Sequence, residues 1–569
     1  MPSQTKPNNA PSSLACMPCR RRHLKCDALM PACTRCQNTD SDCRYVRSRR
    51  GLRPKFDNHP PDLFDAGLPM FAGADDDPLS DLLSASGLPD FEVPGYNGLG
   101  NSASNGLQST QAMFPALSTP QTLVDLPVPS IPDADDALVF PPIAQRDSLT
   151  QDLAYDPMLQ LYYQGFHRSH PFVVPRRALN SPLARRIPES TLSIMRYIGA
   201  HYHPNPSLQE TLRGPAYAGF ADASAFAGFR VQNMLLLAIV EHAHGNEECA
   251  QHTLQIAVNL ALEIGMNREC FAGQNAWGSP VLEESWRRTY WELYVINGVL
   301  AAMRDQKSFV LHSQAVGVGL PCEEDIYNAC NVIPPSTKSI HDLKTFWSRT
   351  GDQHFSSFAY RIEAARALGA VLALNHSLDI NEDALVETTE ASLVASLLHF
   401  PVSQRDPYTS TDYEDMTFQA QMILYLGMVH LHHPRSNMRL ASFQAQTSCT
   451  RLRALESNTA STSKHPIELD MHSQKLLRAA NMLSNLATLP GPVKHRTPFF
   501  SCALAMAVIV HVAGCLMVAE GGEGKDKEDS VRARIQLGLG ALNVLGKVWP
   551  MAVKIRRQLV EMYHEVGLG

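Results

Sequence analysis

Six cysteines, Cys16, Cys19, Cys26, Cys33, Cys36 and Cys43, stand within 28 positions near the start of a 569-residue chain. Their spacing is Cys-x2-Cys-x6-Cys written twice, with six residues between the copies. A Cys-x2-Cys pair lets two thiolates reach one tetrahedral ion, and zinc favours four such ligands at a structural site. Two zinc ions need eight coordination positions, and six sulfurs supply them only if two sulfurs bridge both metals. A segment this short cannot fold on an apolar core of its own. Metal binding would supply its folding free energy, on the order of 10 kcal/mol or more per structural zinc. The other seven cysteines, Cys249, Cys270, Cys322, Cys330, Cys449, Cys502 and Cys515, follow no pairing rhythm. The first six residues, Met-Pro-Ser-Gln-Thr-Lys, contain no secretory apolar run. The expected compartment is therefore reducing, where clustered cysteines are metal ligands rather than disulfides.

Charge divides the chain in the same place. The net charge is −7, yet residues 1–56 carry twelve basic and three acidic residues, a balance of +9. Residues 57–150 carry fourteen acids and one base, Arg146, a balance of −13. The remaining residues are close to neutral. The basic head includes Arg20, Arg21, Arg22, His23 and Lys25 between the second and third cysteines. Six thiolates with two Zn²⁺ sum to −2, so Arg20, Arg21, Arg22 and Lys25 offset the cluster and leave its face positive.

The run Ala15-Cys16-x2-Cys19-Arg20-Arg21-Arg22-x-x-Lys25-Cys26-Asp27, followed by Pro31-x-Cys33-x2-Cys36, resembles the fungal binuclear zinc-cluster transcription factors. The resemblance covers residues 15–43. It implies that Cys16 and Cys33 are the bridging ligands, and that the first short helix enters the major groove and reads a CGG-type triplet. Guanine offers its O6 and N7 acceptors there to Arg or Lys donors, while other cations position the protein on phosphates. His23 stands where family members often carry lysine. Neutral imidazole is an uncharged donor, so the triplet preference is looser than the fold.

Residues 57–150 are rich in Pro, Gly, Ser and Asp, which predicts a disordered linker. Acids alternate there with bulky apolar residues, as in Leu63-Phe64-Asp65 and Asp81-Leu82-Leu83. Activation segments that present apolar side chains to a coactivator have this composition.

From about Tyr155 onward the apolar spacing is helical. The pattern predicts a helix over Val231–His242. It predicts a second that Asn246 caps and Gly265 stops, with Leu254, Ala257, Val258, Ala261 and Leu262 on one face. A third spans Glu283–Met303, with Trp286, Tyr290, Leu293, Tyr294 and Leu300 on one side. Further helices are expected over Phe355–Leu374, Glu382–Leu398, Phe418–His432, Met471–Leu486, Thr497–Ala519 and Asp529–Val566. Phe499–Ala519 is apolar and long enough to span a bilayer; it reads instead as the central helix of a soluble bundle. Several stretches resemble the regulatory middle domain found with this zinc cluster in fungi: Leu161 to Phe172 around His167 and His170, Ala257–Arg268, Glu283–Tyr294, Leu320–Glu323, His432–Ser436 and Thr497–Phe500. Asn297 stands where members often carry Asp. The pairs His201-x-His203 and His242-x-His244 read as ordinary core or surface histidines, since positions two apart on a helix face different ways. Gly538-x-Gly540 lies within a helical pattern and is no dinucleotide loop. No Gly-x-Ser-x-Gly and no P-loop occurs, so no enzyme is expected.

The expected protein is mostly α. Residues 1–15 form a disordered N-terminus and 16–56 a zinc-cluster DNA-binding head with a basic tail. Residues 57–150 form a disordered acidic linker, and 151–569 an all-α regulatory domain. Its expected role is nuclear: a transcription activator for RNA polymerase II genes, of a metabolic or secondary-metabolite set. The alternative is a repressor with the same head. Expected partners are two zinc ions, double-stranded DNA and coactivators, with a homodimer and a small-molecule effector left open, and no membrane.

Overall fold

The computed structural model describes residues 19, 26–27 and 33–39 of the head. It describes 153–565 of the rest, apart from 222–224, 331–332, 334–337, 347–354, 377–381, 401–413, 439–446, 450–469 and 522–524. The expected disordered N-terminus, the basic tail Arg44–Lys55 and the acidic linker lie outside the described residues. The chain divides into two units, Met1–Asp75 and Asp76–Gly569. No strand occurs among the described residues.

In the first unit the described helix is α1 (Thr34–Asn38). The second unit begins with α2 (Pro157–Gly165), α3 (Glu189–Ala200), α4 (Ser207–Ala218), α5 (Ala227–His244) and α6 (Glu247–Glu263). Next come α7 (Glu269–Gln274), α8 (Pro280–Met303), α9 (Glu324–Ala329), α10 (Ile340–Phe346) and α11 (Ser357–Leu374). The last are α12 (Glu382–Leu398), α13 (Asp415–His432), α14 (Met471–Asn485), α15 (Phe500–Gly521), α16 (Lys525–Leu545) and α17 (Pro550–Glu565). Neighbours in sequence pack as pairs, α3 with α4, α5 with α6 and α15 with α16, while α11 packs on α13 and α8 bridges α5 and α11. The last helix returns to pack on α5, and one continuous apolar core results.

Local chemistry explains several boundaries. Ser279 caps α8, its hydroxyl accepting from the Leu282 amide, and Pro280 occupies the first turn, where its missing N–H costs nothing. α6 stops at Gly265, whose φ of +72° closes the end with Met266 N donating to Ala261 O at 2.8 Å. Its apolar face is buried as expected, except that Leu262 is half-buried. The expected Asn246 cap is different: α6 starts after Asn246, but the side chain turns back and donates to Glu241 Oε2 at 2.6 Å. The predicted helix Asp529–Val566 is in fact two, α16 and α17. Pro550 disfavours helical backbone in the residue before it, and Trp549 is driven into the core beside Phe166, His201 and Tyr202.

Two expectations about apolar helices have clear outcomes. Residues Phe500–Met517 are apolar enough to cross a membrane, and 89% of that stretch is buried inside the protein against neighbouring helices. Gly538 lies within α16, where an added Cβ would sit 2.6 Å from Val508 Cγ2, so the glycine lets α16 approach α15 closely.

This core encloses many histidines. Burial lowers His167, His242, His430, His432 and His511 to about 3, and His201, His244 and His433 to about 4. In the unfolded chain these rings accept protons near pH 6.5, which the folded state refuses. Their contribution is therefore whole above the unfolded value and is lost as pH falls toward the folded ones. Burial pushes the carboxyls of Glu323, Glu324 and Glu414 upward, which runs the opposite way, but three groups oppose eight. The expected result is a thermal midpoint that drops steadily as pH falls from about 6.5 to about 4. A flat midpoint across that range, read by circular dichroism, would contradict the neutral buried state.

Candidate functional site: a cysteine cluster and a buried polar node

In the head, the sulfurs of Cys19, Cys26 and Cys33 lie within 4.8 Å of one another, and Cys19 Sγ to Cys33 Sγ is 3.8 Å. Four sulfurs placed about 2.3 Å from a zinc ion at tetrahedral angles stand about 3.8 Å apart, so this donor set fits zinc. Cys19, Cys33 and Cys36 are buried together, with Cys26 half-buried against them. Cys33 faces both halves of the repeat. Its sulfur meets Cys19 of the first half and accepts the Cys36 N–H of the second at 3.4 Å. Asp27 ties the halves further: its two carboxylate oxygens accept the Thr34 N–H at 3.2 and 3.3 Å. Asp27 follows Cys26 and Thr34 follows Cys33, so this bond clamps the backbone beside two of the clustered sulfurs. Cys16, Cys43, Arg20, Arg21, Arg22, His23 and Lys25 lie outside the described residues.

In the helical unit, four of the stretches that resemble the regulatory domain meet around α8. Arg288 is fully buried and donates to Glu284 Oε1 at 2.9 Å, Glu324 Oε1 at 2.6 Å, Cys322 O at 2.8 Å and Pro171 O at 3.3 Å. Its guanidinium also lies 4.0 Å from the centre of the Tyr327 ring. One turn further along α8, Glu292 accepts two bonds from Arg361 of α11, at 2.5 and 2.8 Å. Burial alone would raise the Glu292 carboxyl; Arg361 and His170 overcome it and hold it at about 2. Burial lowers His170, which leaves the ring neutral. His170 then donates from Nδ1 to Glu292 at 2.8 Å and accepts the Thr497 hydroxyl at Nε2, 3.1 Å away. Ser285 donates to Phe172 O, and Gln232 of α5 donates to Ser285, Thr289 and Phe172 O. The segments around His170, Glu284–Glu292, Cys322 and Thr497 thus share one buried node.

Arg287 and Arg288 both form salt bridges. Trp286, Tyr290 and Trp291 are core. The predicted one-sided face of α8 is too narrow, because nearly every residue from Leu282 to Met303 is buried. Arg361 and the buried pair Arg496–Asp415, 2.5 Å apart, have no distinguishing signal in the sequence, because each stands close to other charged residues. Asn297 accepts the Leu311 N–H at 3.4 Å, a contact that Asp could also make. The two His-x-His pairs do not act as pairs. His201 donates from Nδ1 to Tyr197 O, so its Nε2 accepts the His244 Nε2–H at 2.9 Å, joining α3 to α5.

The charges of the node are buried and paired, which suits a structural brace. Replacing Arg361 alone by Met should strand the Glu292 charge and cost about 3–5 kcal/mol in urea unfolding. The double change Arg361→Met with Glu292→Gln should recover most of that loss. A single-variant cost below about 1 kcal/mol, as for a surface pair, would show that the node carries little.

Comparison with known proteins agrees with both parts. Residues 14–52 match the fungal Zn(2)-Cys(6) binuclear cluster domain, and residues 159–381 match the fungal specific transcription factor domain. The C6 finger domain transcription factor iacK of Pestalotiopsis fici is 30% identical over 564 residues, covering 97% of this chain and 80% of that protein. Transcription factor AN6788 of Emericella nidulans is 25% identical over 442 residues, covering 69% of this chain and 66% of that protein. No solved structure matches the chain. A sulfur cluster with zinc spacing, a buried polar node in the helical unit and likeness over 97% of the chain to a C6 finger regulator lead to one assignment. The chain belongs to the fungal Zn(2)-Cys(6) transcription factors, zinc-binding, DNA-binding regulators that are not enzymes.

Proposed function

We propose that this protein is a nuclear activator that reads CGG-type triplets through a head of two zinc ions and six cysteines. Residues 16–56 are the head, 57–150 the activating tether and 151–569 the regulatory domain, with 1–15 a disordered lead. The observation that carries this reading is the zinc-like spacing of Cys19, Cys26 and Cys33, with Cys33 facing both halves. One ion takes Cys16, Cys19, Cys26 and Cys33; the other takes Cys33, Cys36, Cys43 and Cys16. Cys16 and Cys33 bridge.

Arg20, Arg21, Arg22, His23 and Lys25 face DNA, with Lys25 on phosphate and His23 and Arg22 nearest the bases. Phosphate contacts by these cations make binding steeply salt-dependent. The −13 balance of residues 57–150 keeps their apolar residues accessible to coactivators. A homodimer and a small-molecule effector acting on the helical unit complete the proposal.

Metal analysis of the full chain should return two zincs, both lost to strong chelator together with DNA binding. One zinc per chain would end the bridging arrangement. His23 gives a finer test. An unperturbed histidine titrates near pH 6.5, and its protonated ring donates from both nitrogens. Affinity for a CGG site should therefore rise as pH falls from about 8 to about 6. His23→Lys should flatten that dependence and strengthen binding, and His23→Ala should lose about 1–3 kcal/mol of discrimination. Three parallel curves with equal site preference would remove His23 from base reading.

A further inference from the structure

The turn between α16 and α17 borders an open basin of about 440 Å³. Its lining includes Gln209 of α4, Lys547 and Val548 of the turn, and Val553, Lys554 and Arg557 of α17. Pro550, Val553, Lys554 and Arg557 recur at helical spacing, so they form one stripe of α17, while Met551, Ile555, Leu559 and Met562 bury the opposite face. Lys547, Lys554 and Arg557 are all exposed. Among the described residues Lys547 and Lys554 form no ion pair, and the carboxylate near Arg557 is Glu561, at 3.8 Å on an exposed flank.

Three cations therefore gather in one concavity with no acid in its lining, on a chain whose net charge is −7. Like charges so placed repel one another, and an anion relieves the repulsion. Val548, Val553 and Pro550 provide an apolar wall; Val553 is 55% exposed, surface that a ligand would cover. The volume suits a small molecule and exceeds what one inorganic ion needs. Lys554 also runs beside Gly245, which caps α5, with its Nζ 3.9 Å from where a Cβ would stand, so an anion that draws Lys554 acts on a side chain packed at the end of α5.

We propose that this basin is an effector site for a phosphorylated small molecule carrying at least two negative charges and an apolar portion. The effector role rests on the regulatory reading of the helical unit; the binding does not. The probe is hexane-1,6-diol bisphosphate, titrated calorimetrically into the full zinc-loaded chain at constant ionic strength. Saturable binding at one site is expected below about 1 mM, with inorganic phosphate about tenfold weaker or more. Lys554→Gln with Arg557→Gln should weaken the probe about tenfold or more with unchanged helical circular dichroism, while Lys494→Gln should leave it unchanged. No saturable binding, or equal binding by wild type and the double variant, overturns the site; equal binding would place the probe elsewhere, for example on the basic head. Affinity for CGG-containing DNA is measured on the same samples. Loss of DNA recognition with retained probe binding would fault the transcription reading and leave the site standing.

Discussion

The helical unit is organised by a desolvation problem on α8. Arg288 and Glu292 sit where water does not reach, and a bare charge there would cost several kcal/mol. Each must meet partners from distant chain segments: His170 before α3, Glu324 on α9, Arg361 on α11 and Thr497 before α15. Apolar burial gives the bundle its stability, but burial is not directional. The paired charges add direction, because each is satisfied only where the segment that carries its partner is in place. The recurrence of short motif stretches over hundreds of residues then has a physical meaning. Four of them, around His170, Glu284–Glu292, Cys322 and Thr497, converge on one node.

The head solves the opposite problem. It has too little apolar surface to fold, and its described core consists of cysteines. Sulfur geometry replaces a hydrophobic core, and Cys33 is central because its atom faces both halves. The Asp27 carboxylate on the Thr34 amide adds a link that does not pass through metal. Two units built on such different principles suit separate duties, one holding a fixed surface to a nucleic acid and the other offering a large helical body for control.

Much of this was legible in the sequence because the signals were local. The cysteine spacing anticipates the gathering of Cys19, Cys26 and Cys33. Periodicity finds α12 at Glu382–Leu398 as predicted, and Gly265 marks the end of α6 through its left-handed backbone. Signals that depend on tertiary partners were not legible. Asn246 looks like a cap until Glu241 competes for its side chain. Residues 529–566 look like one helix, although Pro550 was a local warning, and the burial of Trp549 settles the break. Short elements such as α7, α9 and α10 have too few turns to show a period. Nothing near Arg361 in sequence announces its partner Glu292, 69 positions away.

The central claim is that zinc-held sulfur geometry presents a base-reading surface. The most direct measurement is selection from a random duplex library by the full chain, with zinc bound and after chelation. The account predicts enrichment of CGG-type triplets with zinc and none without it. Enrichment that survives chelation, or a zinc-loaded protein that retains duplexes without sequence preference, would contradict it.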